Sequence, residues 1–455
     1  MRVWQLVCKT FDLARRFKTE TRGNVVLTFT LLLIPLMGAV GAAVDYSRAN
    51  SMRTALQAAV DAAGLMVAKE APGLTSSQIS QKADDYVKAL FTRPEAQKVE
   101  VSTTYDSTKG VSLTLVATAS IKTAFAGILG IQSIDMKAQT DVKTGQTLLR
   151  VALVLDNTGS MSAVGKIEAL KTATKNLLTQ LKTAAINNGD VYVSIIPFVK
   201  DVNVGASNYN ATWIDWTDWD GNNGSCYNNE KFNGNPNNYT TKNDCIGNGK
   251  YWKPTNHDTW NGCVTDRGNS SAPNAGNYDT NVSLPNIGNP ATLFAAEQYS
   301  ACPQPVLPLS YDWTAMTSLV NSMSPNGNTN QAIGLVHGWQ SLVGGGPYPT
   351  PPAKLSGIQY SEIIILMTDG MNTQDRWYTD QSQIDARQKM TCDNVKAAGI
   401  TVYTVQVNTS GDPISTLLQN CASSSEKFYL LTSANQLVTA FQKIGTDLTK
   451  LRIAQ

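Results

Sequence analysis

Residues 148–161 read L-L-R-V-A-L-V-L-D-N-T-G-S-M. The near-continuous apolar run 151–155 is the pattern of a strand covered on both faces, as in a parallel sheet flanked by helices. It stops at Asp156. Two hydroxyls follow at alternate positions, Thr158 and Ser160, with Gly159 between them to permit a tight turn. Carboxylate and hydroxyl oxygens are the donors that a hard divalent cation such as Mg²⁺ prefers. The carboxyl end of a central strand is also where open α/β sheets bind their ligands.

Residues 324–335, S-P-N-G-N-T-N-Q-A-I-G-L, place Thr329 in a polar loop that opens an apolar helix, and 363–370, I-I-I-L-M-T-D-G, place Asp369 at the end of another apolar strand. Taken alone, D-N-T-G is also turn chemistry that closes a strand. The second strand ending in T-D-G weighs against that simpler reading.

The D-x-T-G-S pattern resembles the first motif of the von Willebrand factor A family, D-x-S-x-S, with Thr158 in place of the middle serine. The resemblance implies a metal-ion-dependent adhesion site formed by Asp156, Thr158, Ser160, Thr329 and Asp369, with Mg²⁺ as the expected ion and Mn²⁺ or Ca²⁺ as substitutes. A rival resemblance is to cation-pumping ATPases, whose D-K-T-G-T carries a phosphoryl-accepting aspartate. Here Asn157 replaces the lysine, Thr373 stands where a further acid is needed, and the many membrane spans of a pump are missing. Phosphoryl transfer through Asp156 is therefore disfavoured, and the expectation is a binding module and not an enzyme.

The amino-terminal segment 1–23 is basic, and 24–44 contains no charged residue. An apolar helix of about 20 residues crosses a bilayer, and the basic flank predicts that the segment before it stays in the cytoplasm. A cleaved signal is the competing reading. Against it, Ala55, Ala59, Ala62, Ala63 and Met66 carry the helical spacing on to about residue 68. R-R-F at 15–17, R-G-N at 22–24, V-D-Y-S-R at 44–48 and L-Q-A-A-V-D-A-A at 56–63 resemble the start of the TadE and TadG pilus-assembly proteins. The junction after Gly23 is similar to a prepilin cleavage site, but Thr28 replaces the glutamate expected there, so the anchor is read as retained.

Residues 75–144 predict a helix over 78–90, capped by Ser76 or Ser77, and strands over 99–105, 111–119 and 134–142. Beyond 148, strands 151–155, 191–198, 362–367, 401–407 and 427–431 alternate with helices 166–182, 313–323, 331–342, 383–398, 413–419 and 434–451. That order predicts a doubly wound, mostly parallel α/β sheet. The expected organisation is a cytoplasmic segment 1–23, a transmembrane helix 24–44, a stalk helix with a small α/β segment 45–147, and an A-like domain 148–455 interrupted by an insertion 201–309. The insertion, rich in Asn, Gly, Tyr and Trp, is too long for an ordinary loop. Its aromatics suit either recognition at a surface or a small core of their own. The acids Asp215, Asp218 and Asp220 miss the Ca²⁺-loop register and read as solvated.

Cys8 precedes the apolar span, whereas Cys226, Cys245, Cys263, Cys302, Cys392 and Cys421 follow it. An even set beyond a membrane indicates disulfides in an oxidising compartment; the expected pairing is Cys392 with Cys421 and the other four among themselves. With no C-x-x-C and only His257 and His337, a zinc site has little support, and His337 reads as a packed helix residue. Net charge is +2, without a basic stripe beyond the juxtamembrane segment, which excludes a nucleic-acid partner. The pilus resemblance implies a bacterial inner-membrane protein with its bulk in the periplasm or at the surface. On that resemblance it is expected to bind other assembly components through a carboxylate that completes the metal site; a surface adhesin for host or matrix ligands is the alternative.

Overall fold

Apolar side chains at every position of a strand need cover above and below, and both covers are present around residues 147–156. The computed structural model describes residues 24–453 except 72–73, 107–110, 145–146, 270–275, 357 and 410. The basic segment 1–23, with Cys8 and the Gly23 junction, lies outside the described residues. The chain divides into two compact units, 1–144 and 145–455.

In the first unit, helix α1 (Asn24–Glu70) runs unbroken through Pro35. Its first half exposes Phe29, Leu32 and Leu36 by 62–66%. It is the one helix among the described residues long and apolar enough to cross a membrane. The second half is ordinary globular helix. Met52, Leu56, Ala59, Ala63 and Val67, at helical spacing, are buried against α2 (Ser76–Leu90) and the antiparallel sheet β1 (Ala96–Asp106), β2 (Val111–Lys122) and β3 (Ser133–Thr144). Asp45 marks the change: its carboxylate accepts N–H bonds from Ala124, Phe125 and Ala126 at 2.8–2.9 Å. The cap of α2 is Thr75, in a reciprocal capping box with Gln78, and not Ser76 or Ser77. Three adjacent hydroxyl residues make the capping role ambiguous in sequence; the glutamine three positions on decides it.

The second unit is built on β4 (Thr147–Asp156). It has α3 (Lys166–Ala184) and β5 (Val191–Phe198), then the short strands β6 (Val202–Asn203) and β7 (Ile214–Asp215), helix α4 (Thr217–Asn222), strands β8 (Gly224–Tyr227), helix α5 (Lys242–Gly247), β9 (Tyr251–Pro254), β10 (Cys263–Thr265), β11 (Phe294–Ala296) and β12 (Leu307–Ser310). Then come α6 (Trp313–Ser322), α7 (Gln331–Val343), β13 (Gln359–Thr368), α8 (Gln381–Ala397), β14 (Thr401–Val407), α9 (Thr416–Cys421), β15 (Phe428–Leu431) and α10 (Gln436–Ile453). The sheet order is β15-β14-β13-β4-β5-β6-β10-β11-β7, with β12 also on β5. From β15 to β5 every pairing is parallel.

Strand alternation sorts the core. Leu149, Val151, Leu153 and Leu155 face α3, α6 and α10, whereas Ala152 and Val154 face α7, α8 and the insertion. Helix α7 approaches closely because Gly334 and Gly338 lie against the sheet: a Cβ at Gly334 would stand 2.7 Å from the Phe198 ring, and one at Gly338 2.5 Å from a Val154 methyl.

The insertion does more than interrupt the domain. Through β6, β10, β11 and β7 it prolongs the main sheet past β5. Trp219 and Trp260 are buried with the core residues of the domain, so these rings pack and are not displayed. Asp218 pairs with Arg376 at 2.6 Å and Asp220 with His257 at 2.8 Å, so neither is merely solvated. Helix α9 begins at Thr416, not 413, with Ser415 as its cap. The cysteines pair as Cys226–Cys245, Cys263–Cys302 and Cys392–Cys421.

Candidate metal centre

Parallel register brings the ends of β4 and β13 together, since Leu155 lies opposite Met367 and the next residues are Asp156 and Thr368. Asp156 is wholly buried. Its Oδ1 accepts from the Thr158 amide at 2.8 Å and the Thr158 hydroxyl at 2.6 Å, and its Oδ2 from the Thr368 hydroxyl at 2.7 Å. The contacts continue from Thr158 Oγ1 to Ser160 Oγ at 3.1 Å, and Ser160 Oγ donates to Asp369 Oδ1 at 2.6 Å. Asp156, Thr158, Ser160 and Asp369 thus form one chain of oxygens.

A proton count shows what this chain lacks. With both acids ionised, the hydroxyl protons of Thr158 and Ser160 are spent on the two carboxylates, which leaves the 3.1 Å contact between the hydroxyls without a proton. That contact stands at the ordinary van der Waals spacing of two oxygens. Burial, and then the charge of Asp369, push the Asp156 carboxyl up to about 7, against the opposing bonds from Thr158 and Thr368. Adjacent corners of a Mg²⁺ octahedron stand about 3 Å apart, which is the spacing of these contacts. Among the described residues no three His, Cys, Asp or Glu side chains cluster to hold a metal. The donors here are two carboxylates and hydroxyls, a hard-cation set.

Thr329 is placed differently from the other four. It is buried at the entry to α7, and its loop meets the Asp156 loop through Gly159 N–H to Gly327 O at 3.0 Å and Asn326 N–H to Asn157 O at 2.9 Å. Its backbone N–H donates to Thr373 Oγ1 at 2.8 Å, but no hydrogen bond joins its hydroxyl to the oxygen chain.

The sequence reading missed Lys166. At the first turn of α3 its ammonium donates to Asp369 Oδ2 at 2.8 Å, and both side chains are almost fully buried, 3% and 0% exposed. A cation at a helix N-terminus opposes the helix dipole, and that unfavourable placement was the available signal. The reading also missed an amide network. Asn372 Oδ1 accepts from Gln331 N–H at 2.8 Å, Asn372 Nδ2 donates to Gln388 at 2.7 Å, and Gln388 donates to Gln331 at 3.0 Å. It fixes the loop after Asp369 to α7 and α8. Farther along α7, His337 packs against Tyr348 at 3.0 Å, and burial pulls its imidazole down to about 3.

This sheet, with polar loops gathered at the carboxyl ends of β4 and β13, defines a von Willebrand factor type A domain. The family model of that name matches residues 280–443, from the last part of the insertion onward. The Flp pilus-assembly TadE/G-like model matches residues 23–70. The chain therefore joins a TadE/G-like amino-terminal segment to a von Willebrand factor type A domain. A search of curated protein sequences finds no match.

Among solved structures, the von Willebrand factor domain of the type V pilus tip protein Mfa5 from Porphyromonas gingivalis is 8% identical, with 68% of this chain and 97% of that chain covered at a TM-score of 0.37. The pilus adhesin SpaC from Lactobacillus rhamnosus GG is 15% identical over 79% of this chain at a TM-score of 0.36; this chain spans 35% of its length. Proximal thread matrix protein 1 from the mussel byssus, solved with a zinc-occupied MIDAS motif, is 13% identical over 68% of this chain and 46% of that chain, at 0.32. At such TM-scores these likenesses carry no weight of their own. The fold assignment stands on strand order and the family models.

Proposed function

We propose that this protein is a membrane-anchored component of a Flp/Tad-type pilus or tight-adherence system, whose A domain grips a partner protein through a divalent cation. The oxygen chain Asp156–Thr158–Ser160–Asp369, two carboxylates and two hydroxyls in mutual contact at the strand ends, carries this reading. When bound, the cation supplies a positive centre for a partner's carboxylate. Asp156 and Asp369 offset its charge, and Thr158 and Ser160 bring neutral oxygens. Thr329 joins directly or through water. Ser160 is the exposed member of the chain, so the partner approaches from that side. Helix α1 is the anchor, with the A domain outside the cytoplasm. The domain organisation of the sequence reading, segments 1–23, 24–44, 45–147 and 148–455, is kept in this proposal.

The test is calorimetric titration of the purified full-length chain with Mg²⁺, Mn²⁺ and Ca²⁺, followed by co-purification from membranes with and without chelator. Asp156→Ala and Asp369→Ala are expected to lose at least tenfold in cation affinity, and Thr329→Ala less, because a hydroxyl attracts a cation less than a carboxylate does. A wild type that binds no divalent ion, or partners retained equally with chelator, would refute the metal-bridged mechanism.

A further inference from the structure

The insertion holds a second concave site, away from the oxygen chain. A cleft of about 490 Å³ opens beside Trp219 between α4, β8 and the segment 236–240, within the roughly 300–1,000 Å³ of small-molecule sites. Its lining contains amides, hydroxyls and aromatic rings but no Asp, Glu, Lys, Arg or His. In an acid- and base-bearing domain this neutrality excludes recognition by ion pairing, whether of phosphate, carboxylate or ammonium groups.

Several polar groups of the lining are free to bind. Among the described residues, the side chains of Ser225, Asn238, Thr240 and Thr255 make no hydrogen bond to protein, although all four border the cleft. Asn223 is oriented by donation from its Nδ2 to Trp219 O at 3.0 Å, which leaves its Oδ1 available. Tyr239 adds a half-buried ring. The frame is stiff. Cys226–Cys245 fastens β8 to α5, and Trp252 Nε1 donates to Asp220 O at 2.7 Å. A pre-ordered frame lowers the entropy lost on binding.

A peptide fits this cleft poorly. One edge of β8 is paired with β9, and the other is met by Asn237, whose N–H donates to Cys226 O at 2.7 Å. The β8 edge that borders the cleft is thus already met at Cys226, which disfavours β-augmentation there, and Trp219 is buried and not open to receive an anchoring side chain. A ligand with many neutral hydroxyls and an apolar ring face matches what remains: amides and hydroxyls that give and take hydrogen bonds, beside an aromatic ring.

We infer that this cleft is a binding site for neutral oligosaccharides, independent of the metal centre. The probes are neutral oligosaccharides ending in galactose, mannose or N-acetylglucosamine, with sialylated counterparts, presented as an array to the purified full-length chain in detergent. Neutral glycans are expected to bind, unaffected by chelator, and Asn238→Ala with Thr240→Ala is expected to weaken binding at least tenfold. Ser225→Ala, with the smaller loss of one hydroxyl, is expected to fall severalfold, and an unchanged thermal unfolding midpoint reports that each variant is folded. Absence of neutral-glycan binding, unchanged binding by the folded variants, preference for the sialylated forms, or loss of binding in chelator would each overturn the assignment.

Discussion

Lys166 supplies a positive charge that a cation at the Asp156–Asp369 oxygens must share. Its ammonium bonds to Asp369 where both are buried, and a buried partner of a broken pair is costly, about 3–5 kcal/mol when one member is removed. Lys166→Met is therefore expected to lower the melting temperature in chelator, and to recover more stability on Mg²⁺ addition than wild type does, because repulsion of the dication is removed. Thermal unfolding with and without Mg²⁺ checks this; equal responses in the two proteins would rule out competition. Asp156 adds a pH dependence. Burial and the charge of Asp369 push its carboxyl up to about 7, and only its deprotonated form attracts a cation. Cation affinity should fall as pH drops from 8 to 6, which titration calorimetry at the two pH values measures. Asp156, Thr158, Ser160, Thr329 and Asp369 were legible as candidates through the resemblance of their motifs to the von Willebrand factor A family. Lys166 was not, because its partner is 203 positions away.

At the level of elements, the strands of the parallel sheet were readable because burial on both faces leaves a continuous apolar run, as in Val151 to Leu155 and Ile363 to Met367. The strands of the insertion were not. β6 and β7 have two residues each, too few for alternation to register, and their pairing depends on neighbours far along the chain. Helix α7 shows how an element sets the site. Its close approach through Gly334 brings its first turn to the loops after Asp156 and Asp369, and the Phe198 ring and a Val154 methyl leave a Cβ no room. Gly334→Val is expected to destabilise the protein by roughly 1–3 kcal/mol through overpacking, read as a lower urea midpoint. An unchanged midpoint would mean that α7 shifts freely and does not fix the loops.

For the whole molecule, the proposed topology rests on the long apolar helix found among the described residues and on the cysteines beyond it. A reporter at Gln455 that works only outside the cytoplasm is expected to be active, and Cys226, Cys245, Cys263, Cys302, Cys392 and Cys421 are expected to resist alkylation until reduced. Free thiols in protein from native membranes would reject the oxidising location. The sequence by itself determined the long apolar helix, the α/β alternation and the acids that end two strands, because each is a local pattern of apolar and polar residues. Tertiary structure alone decided three things. It set the Lys166–Asp369 pair across 203 positions. It turned the insertion from an appendage into a continuation of the sheet. It packed Trp219 and Trp260 into the core while leaving a neutral cleft beside them. Composition records which groups are available, but desolvation and hydrogen bonding between distant segments determine which are buried, which are paired and which remain free to bind.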